Sequence, residues 1–259
     1  MPGYGWTLKK LRIWVEEKMG HQVSRTTLRT LLKQAGLSWK KSKKVLAKAN
    51  PQKRAEYVKR FQGWFEQVCQ GQLRLIYVDE VHLHQDLQLG YRWSTIGEAD
   101  WVPSHCPPLQ NRLNWYGAYD FTNGQCFIWH QDNCDSDQTV SFLQQLAQWN
   151  PNPNQRTVII WDRAPWHSWA AIVRHHAEEL GFSLVSLPSY SPDLNPIEGL
   201  WKWMREDLTQ HHCYKYLYQL EWACFDFIDR INLDPGAIIS RLWPKFDLDP
   251  AYEKVLFSF

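Results

Sequence analysis

Long apolar runs are missing from this 259-residue sequence. No stretch approaches the roughly 20 apolar residues that a membrane-spanning helix needs. The opening MPGYGWTLKK also lacks the apolar core of a signal peptide. Both absences point to a cytoplasmic protein with no membrane partner. The six cysteines, at 69, 106, 126, 134, 213 and 224, never form a Cys-x-x-Cys pair, so neither a zinc ribbon nor a disulfide framework is signalled. Internal repeats and low-complexity tracts are lacking too. Acids are scarce at one end. Residues 1–60 hold 16 Lys and Arg against 3 Asp and Glu, a local charge of +13; residues 61–259 hold 13 against 24, or −11. The formal net charge of +2 therefore conceals a basic arm on an acidic body. That asymmetry suits a polyanion-binding module joined to something else, with a merely solvated basic face as the plain alternative. Tryptophan is abundant, at 16 residues, and core filling accounts for most of it.

The arm has a local pattern. Trp6 to Lys18 reads as a helix with Leu8, Leu11, Ile13, Trp14 and Val15 as its apolar stripe, broken by Gly20. Ser24 suits the N-cap of a second helix running to Ala35 and closed by Gly36, with Leu28, Leu31 and Leu32 inside. Two short helices joined by a tight turn form the helix-turn-helix pattern, whose second helix enters a major groove. Arg25, Arg29 and Lys33 are then candidate DNA contacts. The next segment, LSWKKSKKVLAKAN, carries Lys40, Lys41, Lys43, Lys44 and Lys48 without an acid, which fits phosphate contact. The expected organisation is a helix-turn-helix domain with basic segment over 1–50, a linker helix over 51–71, and an α/β body with a helical tail over 72–259.

In the body, RLIYVDE (74–80), RTVIIWD (156–162) and FSLVSL (182–187) read as buried strands. NWYGAYDF (114–121) and QCFIWHQ (125–131) read as a hairpin around Asn123–Gly124. Helices are expected from Ser136 to about Trp149, from Trp169 to Leu180, and from Pro196 to about His211. This order predicts a mixed five-stranded sheet with helices on its faces. Asp79 and Asp162 each end an apolar strand, and a core strand that ends in a carboxylate delivers it to a cleft edge or a cap. Side by side, the two would repel until a proton or a cation relieved them. Oxygen-only donors suit Mg²⁺ or Mn²⁺. Glu198 would join them from the following helix. It has an alternative as the N3 residue of a capping box behind Asn195 and Pro196, pairing with Lys202. His82 and His84 lack further ligands at zinc spacing. The pairs His175–His176 and His211–His212 read as solvated. Trp93 and Trp101 fit either a DNA-contacting insertion or a packed hairpin.

Three segments carry a family resemblance: SLPSYSPDLNPIEGLW (186–201), YVDE (77–80) and IIWDRAPWH (159–167). They resemble transposases of the mariner superfamily, in particular the bacterial insertion sequence 630 family. The resemblance spans roughly residues 5–215. It implies an RNase H-like catalytic fold with an Asp-Asp-Glu triad, here Asp79, Asp162 and Glu198, the last two separated by 35 residues. It further implies two Mg²⁺ or Mn²⁺ ions, Asp79 bridging them and Asp162 and Glu198 each holding one. Strand cleavage at the terminal inverted repeats of an element and transfer of a 3′-hydroxyl into target DNA, at TA, would follow, carried out by a homodimer. Arg163 and His167 are expected near the site. Two departures stand out. Relatives carry two helix-turn-helix units and this sequence has room for one, so a truncated or frameshifted chain, with the first unit supplied separately, is expected. Arg163 also replaces a smaller or amide residue. The competing readings are a domesticated, inactive DNA-binding derivative and a structure-selective nuclease on the same fold.

Overall fold

The computed structural model describes residues 6–39, 50–152, 154–164 and 171–244. Two compact units divide the chain near residue 45. The first contains α1 (Leu8–Met19) and α2 (Arg25–Gln34). The Thr7 side chain accepts from Lys10 N–H and caps α1, and Gly20, at φ 68°, supplies the left-handed residue that ends it. Ser24 caps α2 by accepting from Thr27 N–H at 3.0 Å. Leu28 is buried, and Leu8, Leu11, Trp14, Val15 and Leu32 are half-buried. Ile13 and Leu31, expected in the apolar stripes, are instead exposed at 41% and 53%. Ile13 lies two residues from Leu11 and so points away from it on a helix, while Leu32, at i+4, shares the Leu28 face better than Leu31 does. Arg25, Arg29 and Lys33 fall at i, i+4 and i+8 along one exposed face of α2. Lys40, Lys41, Lys43, Lys44 and Lys48 lie outside the described residues.

The second unit opens with α3 (Pro51–Cys69), capped by Asn50 with Pro51 in its first turn. The spacing of Tyr57, Phe61 and Trp64 makes one apolar face, and all three are buried. Tyr57 Oη lies 3.3 Å from Tyr77 Oη. Expected as a linker, α3 is also part of the core of the body.

The sheet has five strands in the order β3-β2-β1-β4-β5. They are β1 (Leu73–His84), β2 (Arg112–Asp120), β3 (Gln125–Gln131), β4 (Arg156–Trp161) and β5 (Phe182–Ser186). β1, β2 and β3 pair antiparallel, and β4 joins β1 and β5 in parallel. This is the expected mixed sheet. β1 runs four residues past Glu80, so His82 and His84 lie on it. Its alternation feeds two cores. Leu75 and Tyr77 face one with α3, Trp115 and Tyr119. Ile76 and Val78 face the other with Tyr116 and Phe142. Helices α4 (Ser136–Gln148) and α5 (Ala171–Glu179) contribute to this second core through Phe142, Leu143 and Val173. Asp135, not Ser136, caps α4: it has the extended backbone of an N-cap, and its Oδ1 accepts from Gln138 N–H at 2.9 Å.

The helix expected over 196–211 is broken into parts. A 3₁₀ turn spans Pro192–Leu194, α6 runs Glu198–Met204, and a π-helical turn follows at Arg205–Thr209. α7 (Leu217–Ile231) and α8 (Pro235–Arg241) then pack against the first core. Between β1 and β2, residues 85–111 contain no strand beyond a bridge from Gln88 to Gln210, and Trp93 and Trp101 are exposed there rather than packed in a hairpin. Among the described residues no helix is long and apolar enough to cross a membrane.

Candidate active site

Parallel pairing of β1 with β4 aligns the first two acids. Tyr77 is in register with Ile160, so Asp79 and Asp162 each lie two residues beyond one pair on adjacent strands. Successive strand side chains alternate, so this spacing sends both carboxylates to the same face. β4 ends at Trp161, which leaves Asp162 at the strand mouth, where its Oδ1 accepts from Ala164 N–H at 2.8 Å. Glu198 opens α6. All three acids line one cleft of about 440 Å³, together with Arg163, Tyr190 and Asn195.

The cleft is electrostatically unbalanced. Asp79 is half-buried, whereas Asp162 and Glu198 are open to solvent. Burial, then the charges of Glu198, Glu80 and Asp162, push the Asp79 carboxyl up to about 8, against the opposing Trp201 hydrogen bond. Glu198 is also raised, first by burial, with Arg205 opposing and Asp162 reinforcing the shift. A proton or a cation has to balance this group. The donor chemistry fits a hard divalent cation. The arrangement is open, however: among the described residues no group of three or more His, Cys, Asp and Glu is gathered tightly enough to hold an ion as it stands.

The capping-box alternative for Glu198 does not form. Ile197 occupies the N-cap position without a side-chain bond, because the 3₁₀ turn and Pro196 delay the start of α6 until Glu198 itself. Asn195 is left 5% exposed, and its Oδ1 is buried with no hydrogen-bond partner. Arg163 does not pair with an acid through Nε, which donates instead to the Leu187 carbonyl at 3.2 Å. His167 lies outside the described residues. His82 Nδ1 lies 2.7 Å from Asn114 Oδ1 and takes no part in the cleft. His211, expected to be solvated, has both ring nitrogens buried without a partner, since the chain turns there through φ 60°.

Two residues of the site were not anticipated from the sequence. Trp201 Nε1–H donates to Asp79 Oδ2 at 3.0 Å. Gly117 pairs with Asp79 across β1 and β2, and the Trp201 ring lies so close over it that a Cβ would come within 2.1 Å of the ring. A glycine inside the strand NWYGAYD was the available signal, since such a residue marks a close approach. Gly117→Ala is therefore expected to displace the indole and break its bond to Asp79. The overpacking should cost about 1–3 kcal/mol of stability, read as a lowered melting temperature. Trp201→Phe should lose the Asp79 bond with a smaller stability change.

The profile described as "DDE superfamily endonuclease" matches residues 74–221, more than half of the chain, and one described as "Winged helix-turn helix" matches residues 2–61. The chain belongs to the DDE superfamily endonuclease family. It is 25% identical over 233 residues to the 39 kDa protein of insertion element IS630 from Shigella sonnei. The match covers 90% of this chain and 66% of that one, so this DDE protein spans just under two thirds of that relative's length. The Mos1 transposase paired-end complex with left transposon end matches with a TM-score of 0.66 at 15% identity, over 93% of this chain and 77% of that one. The Mos1 mariner paired end complex with Mn gives 0.63 at 15% identity, covering 93% and 78%. The one with Mg gives 0.61 at 16%, covering 93% and 77%. At these identities the likeness establishes the fold: an RNase H-like body preceded by a helix-turn-helix, as the resemblance in sequence implied.

Proposed function

We propose that this DDE protein is a DNA transposase that cleaves DNA strands at the ends of an insertion element and joins the freed 3′-hydroxyl to target DNA. The carrying observation is the single cleft lined by Asp79, Asp162 and Glu198. Two of these acids come from adjacent parallel strands, and burial together with the charges of Glu198, Glu80 and Asp162 raises Asp79 to about 8. Asp79, Asp162 and Glu198 would hold two divalent ions, Mg²⁺ or Mn²⁺. The unpartnered Asn195 Oδ1 in the wall adds an acceptor for their water shell. The chemistry such ions would supply there is activation of a water or a 3′-hydroxyl and neutralisation of the leaving oxygen.

This chain's own residues do the rest. Trp201 fixes the rotamer of Asp79 by its hydrogen bond. The Leu187 carbonyl steadies Arg163 at the cleft wall, where the guanidinium can approach a scissile phosphate. The basic arm and the exposed face of α2 bring double-stranded DNA to the body, as a homodimer bridging two terminal inverted repeats and a target, TA by resemblance. The test is strand cleavage of a duplex carrying the terminal repeats that flank the element. Cleavage should require Mg²⁺ or Mn²⁺ and vanish in chelator, and cleavage that persists in chelator would remove this reading.

The charge split makes a second prediction. The arm carries +13 and the remainder −11, so the arm should supply nearly all DNA affinity. Each phosphate neutralised contributes about 0.9 to the slope of log affinity against log salt, so five contacts from Lys40, Lys41, Lys43, Lys44, Lys48, Lys53 and Arg54 would give a slope of about −4 to −5. Replacing Lys40, Lys41, Lys43 and Lys44 with Ala should flatten the slope on every sequence alike. Replacing Arg25 or Arg29 should instead reduce preference for element ends over random DNA. Titrations at several salt concentrations would show both effects, and a slope near zero would exclude the arm from the interface.

A further inference from the structure

The elements that bring Asp79 and Glu198 to the cleft share a support in α3. Of the cations on this helix, Lys53, Lys59 and Arg60 are exposed, whereas Arg54 is half-buried. Spacing explains the difference. Arg54 stands three, four and seven residues before Tyr57, Val58 and Phe61, so it lies on the face that α3 turns to the core. From there its Nη1 meets Asp193 Oδ2 at 2.6 Å. One turn later, Tyr57 Oη lies 3.3 Å from Tyr77 Oη. Tyr77 is on β1, two residues before Asp79. Asp193 is at the centre of the 3₁₀ turn, five residues before Glu198. A single turn of α3 thus holds both the strand that carries Asp79 and the turn that leads to Glu198.

The residues between Asp193 and Glu198 transmit position. Leu194, Asn195, Pro196 and Ile197 are all buried. Backbone bonds run through them in sequence: Leu194 N–H donates to the Ser191 carbonyl, Asn195 N–H to that of Pro192, and Glu198 N–H to that of Asn195. Pro196 fixes one φ. Such a segment has little freedom to absorb a shift, so a displacement of the turn passes to the start of α6. Asp193 is not a fourth acid of the cleft, since it does not line it and is 56% exposed. An exposed ion pair adds little to stability. What this pair does is tie the turn to a helix that is itself anchored in the core.

We propose that Arg54 and Asp193 are a positioning pair, through which α3 sets Glu198 at the distance from Asp79 that a divalent cation requires. This rests on the reading of the three acids as a metal site. Neither residue lines the cleft, and both act through Glu198. Arg54 also stands among the cations offered above for phosphate contact, and the two roles predict opposite effects of Asp193. If Arg54 served DNA alone, loss of the Asp193 carboxylate would free the guanidinium and remove a repelling charge. Binding would then tighten and cleavage would hold. If the pair sets Glu198, the same change weakens the metal site.

The test uses the full chain and two readouts. One is Mn²⁺ binding without DNA, followed by the electron paramagnetic resonance of the free ion. The other is cleavage of the terminal-repeat duplex in Mg²⁺. Asp193→Asn and Arg54→Gln should each weaken Mn²⁺ binding roughly 10-fold and slow cleavage roughly 10- to 100-fold, the range for residues that orient metal ligands. Both should melt within about 4 °C of the wild type, because the pair is exposed. Arg54→Glu combined with Asp193→Arg reverses the pair, the longer side chain now reaching from the turn, and should recover part of both losses. Wild-type Mn²⁺ binding and cleavage in Asp193→Asn would overturn the proposal and leave Arg54 as a phosphate contact, with the metal-site reading intact. A reversed pair no better than the single variants would overturn it too. Losses that track a large fall in melting temperature would make the pair a stabilising contact and likewise overturn it. A wild-type chain that neither binds Mn²⁺ nor cleaves would overturn both the pair and the metal site.

Discussion

Asp79→Asn, Asp162→Asn and Glu198→Gln will each reduce strand cleavage by roughly 10³-fold or more, the scale expected when one member of a catalytic unit is removed. DNA affinity should hold in all three if, as proposed, the arm and α2 provide it. The reason for so large an effect is the geometry of the cleft. Asp79 and Asp162 come from adjacent parallel strands and Glu198 from the start of α6, so each acid reaches the cleft from a different element. No neighbouring acid can move in from the same backbone to replace a lost one. Glu80 is next to Asp79 in sequence, but strand alternation sends it to the opposite face, where it acts electrostatically on Tyr116. Glu198→Gln separates two roles. With no capping bond from Asn195 and none from Glu198, the start of α6 does not depend on this carboxylate. The variant should therefore melt normally while inactive. Cleavage and binding measured on the same purified preparations check the set, and full cleavage by any one variant would remove that residue from the triad.

How much of this was legible in the sequence depends on what each feature rests on. The sheet rests on apolar runs and one Asn-Gly turn, which are local signals, and its five strands appear close to where the pattern puts them. The acids rest on strand ends, which are also local, and once β1 and β4 pair in parallel their alignment follows. The start of α6 is different. Asn195, Pro196 and Glu198 have the residue types of a capping box, and local chemistry alone favours it. The buried packing of Leu194 and Ile197 tightens the turn to 3₁₀ and shifts the helix by two residues. Local propensity yields there to tertiary packing. Trp201 was hidden for a related reason. A tryptophan in an apolar helix reads as core, and it is 1% exposed. Only the bare backbone of Gly117, 84 positions earlier, lets its indole reach Asp79. The same limit applied to α3, whose apolar face suited a connector until Tyr77 and Phe121 were seen packed against it.

Asp79 should also govern how stability depends on pH. Its carboxyl rises from the usual 3.8 to about 8 in the folded, cation-free chain, through burial first and then the charges of Glu198, Glu80 and Asp162. The sign is opposite to that of a salt-bridged acid. Between about pH 4 and 8 the folded state holds a proton that the unfolded state has released, so this group's contribution to stability is complete below pH 4 and is lost as pH rises through 8. Asp79→Asn removes the titration but keeps an oxygen that can accept the Trp201 bond. Without metal, the variant and the native chain should melt together near pH 4. The variant should melt higher at pH 8.5, by about 2–4 °C for each 1 kcal/mol relieved. A divalent cation should reverse the order. It takes the place of the proton, so Mg²⁺ should raise the native melting temperature more at pH 8.5 than at pH 6, and binding near pH 7 should release about one proton, visible as a buffer-dependent heat in calorimetry. Asp79→Asn should show neither the pH-dependent gain nor the proton release. Equal melting of the two proteins at pH 8.5 without metal would mean that the Asp79 carboxylate is already balanced. The case for a cation would then rest on Asp162 and Glu198 alone.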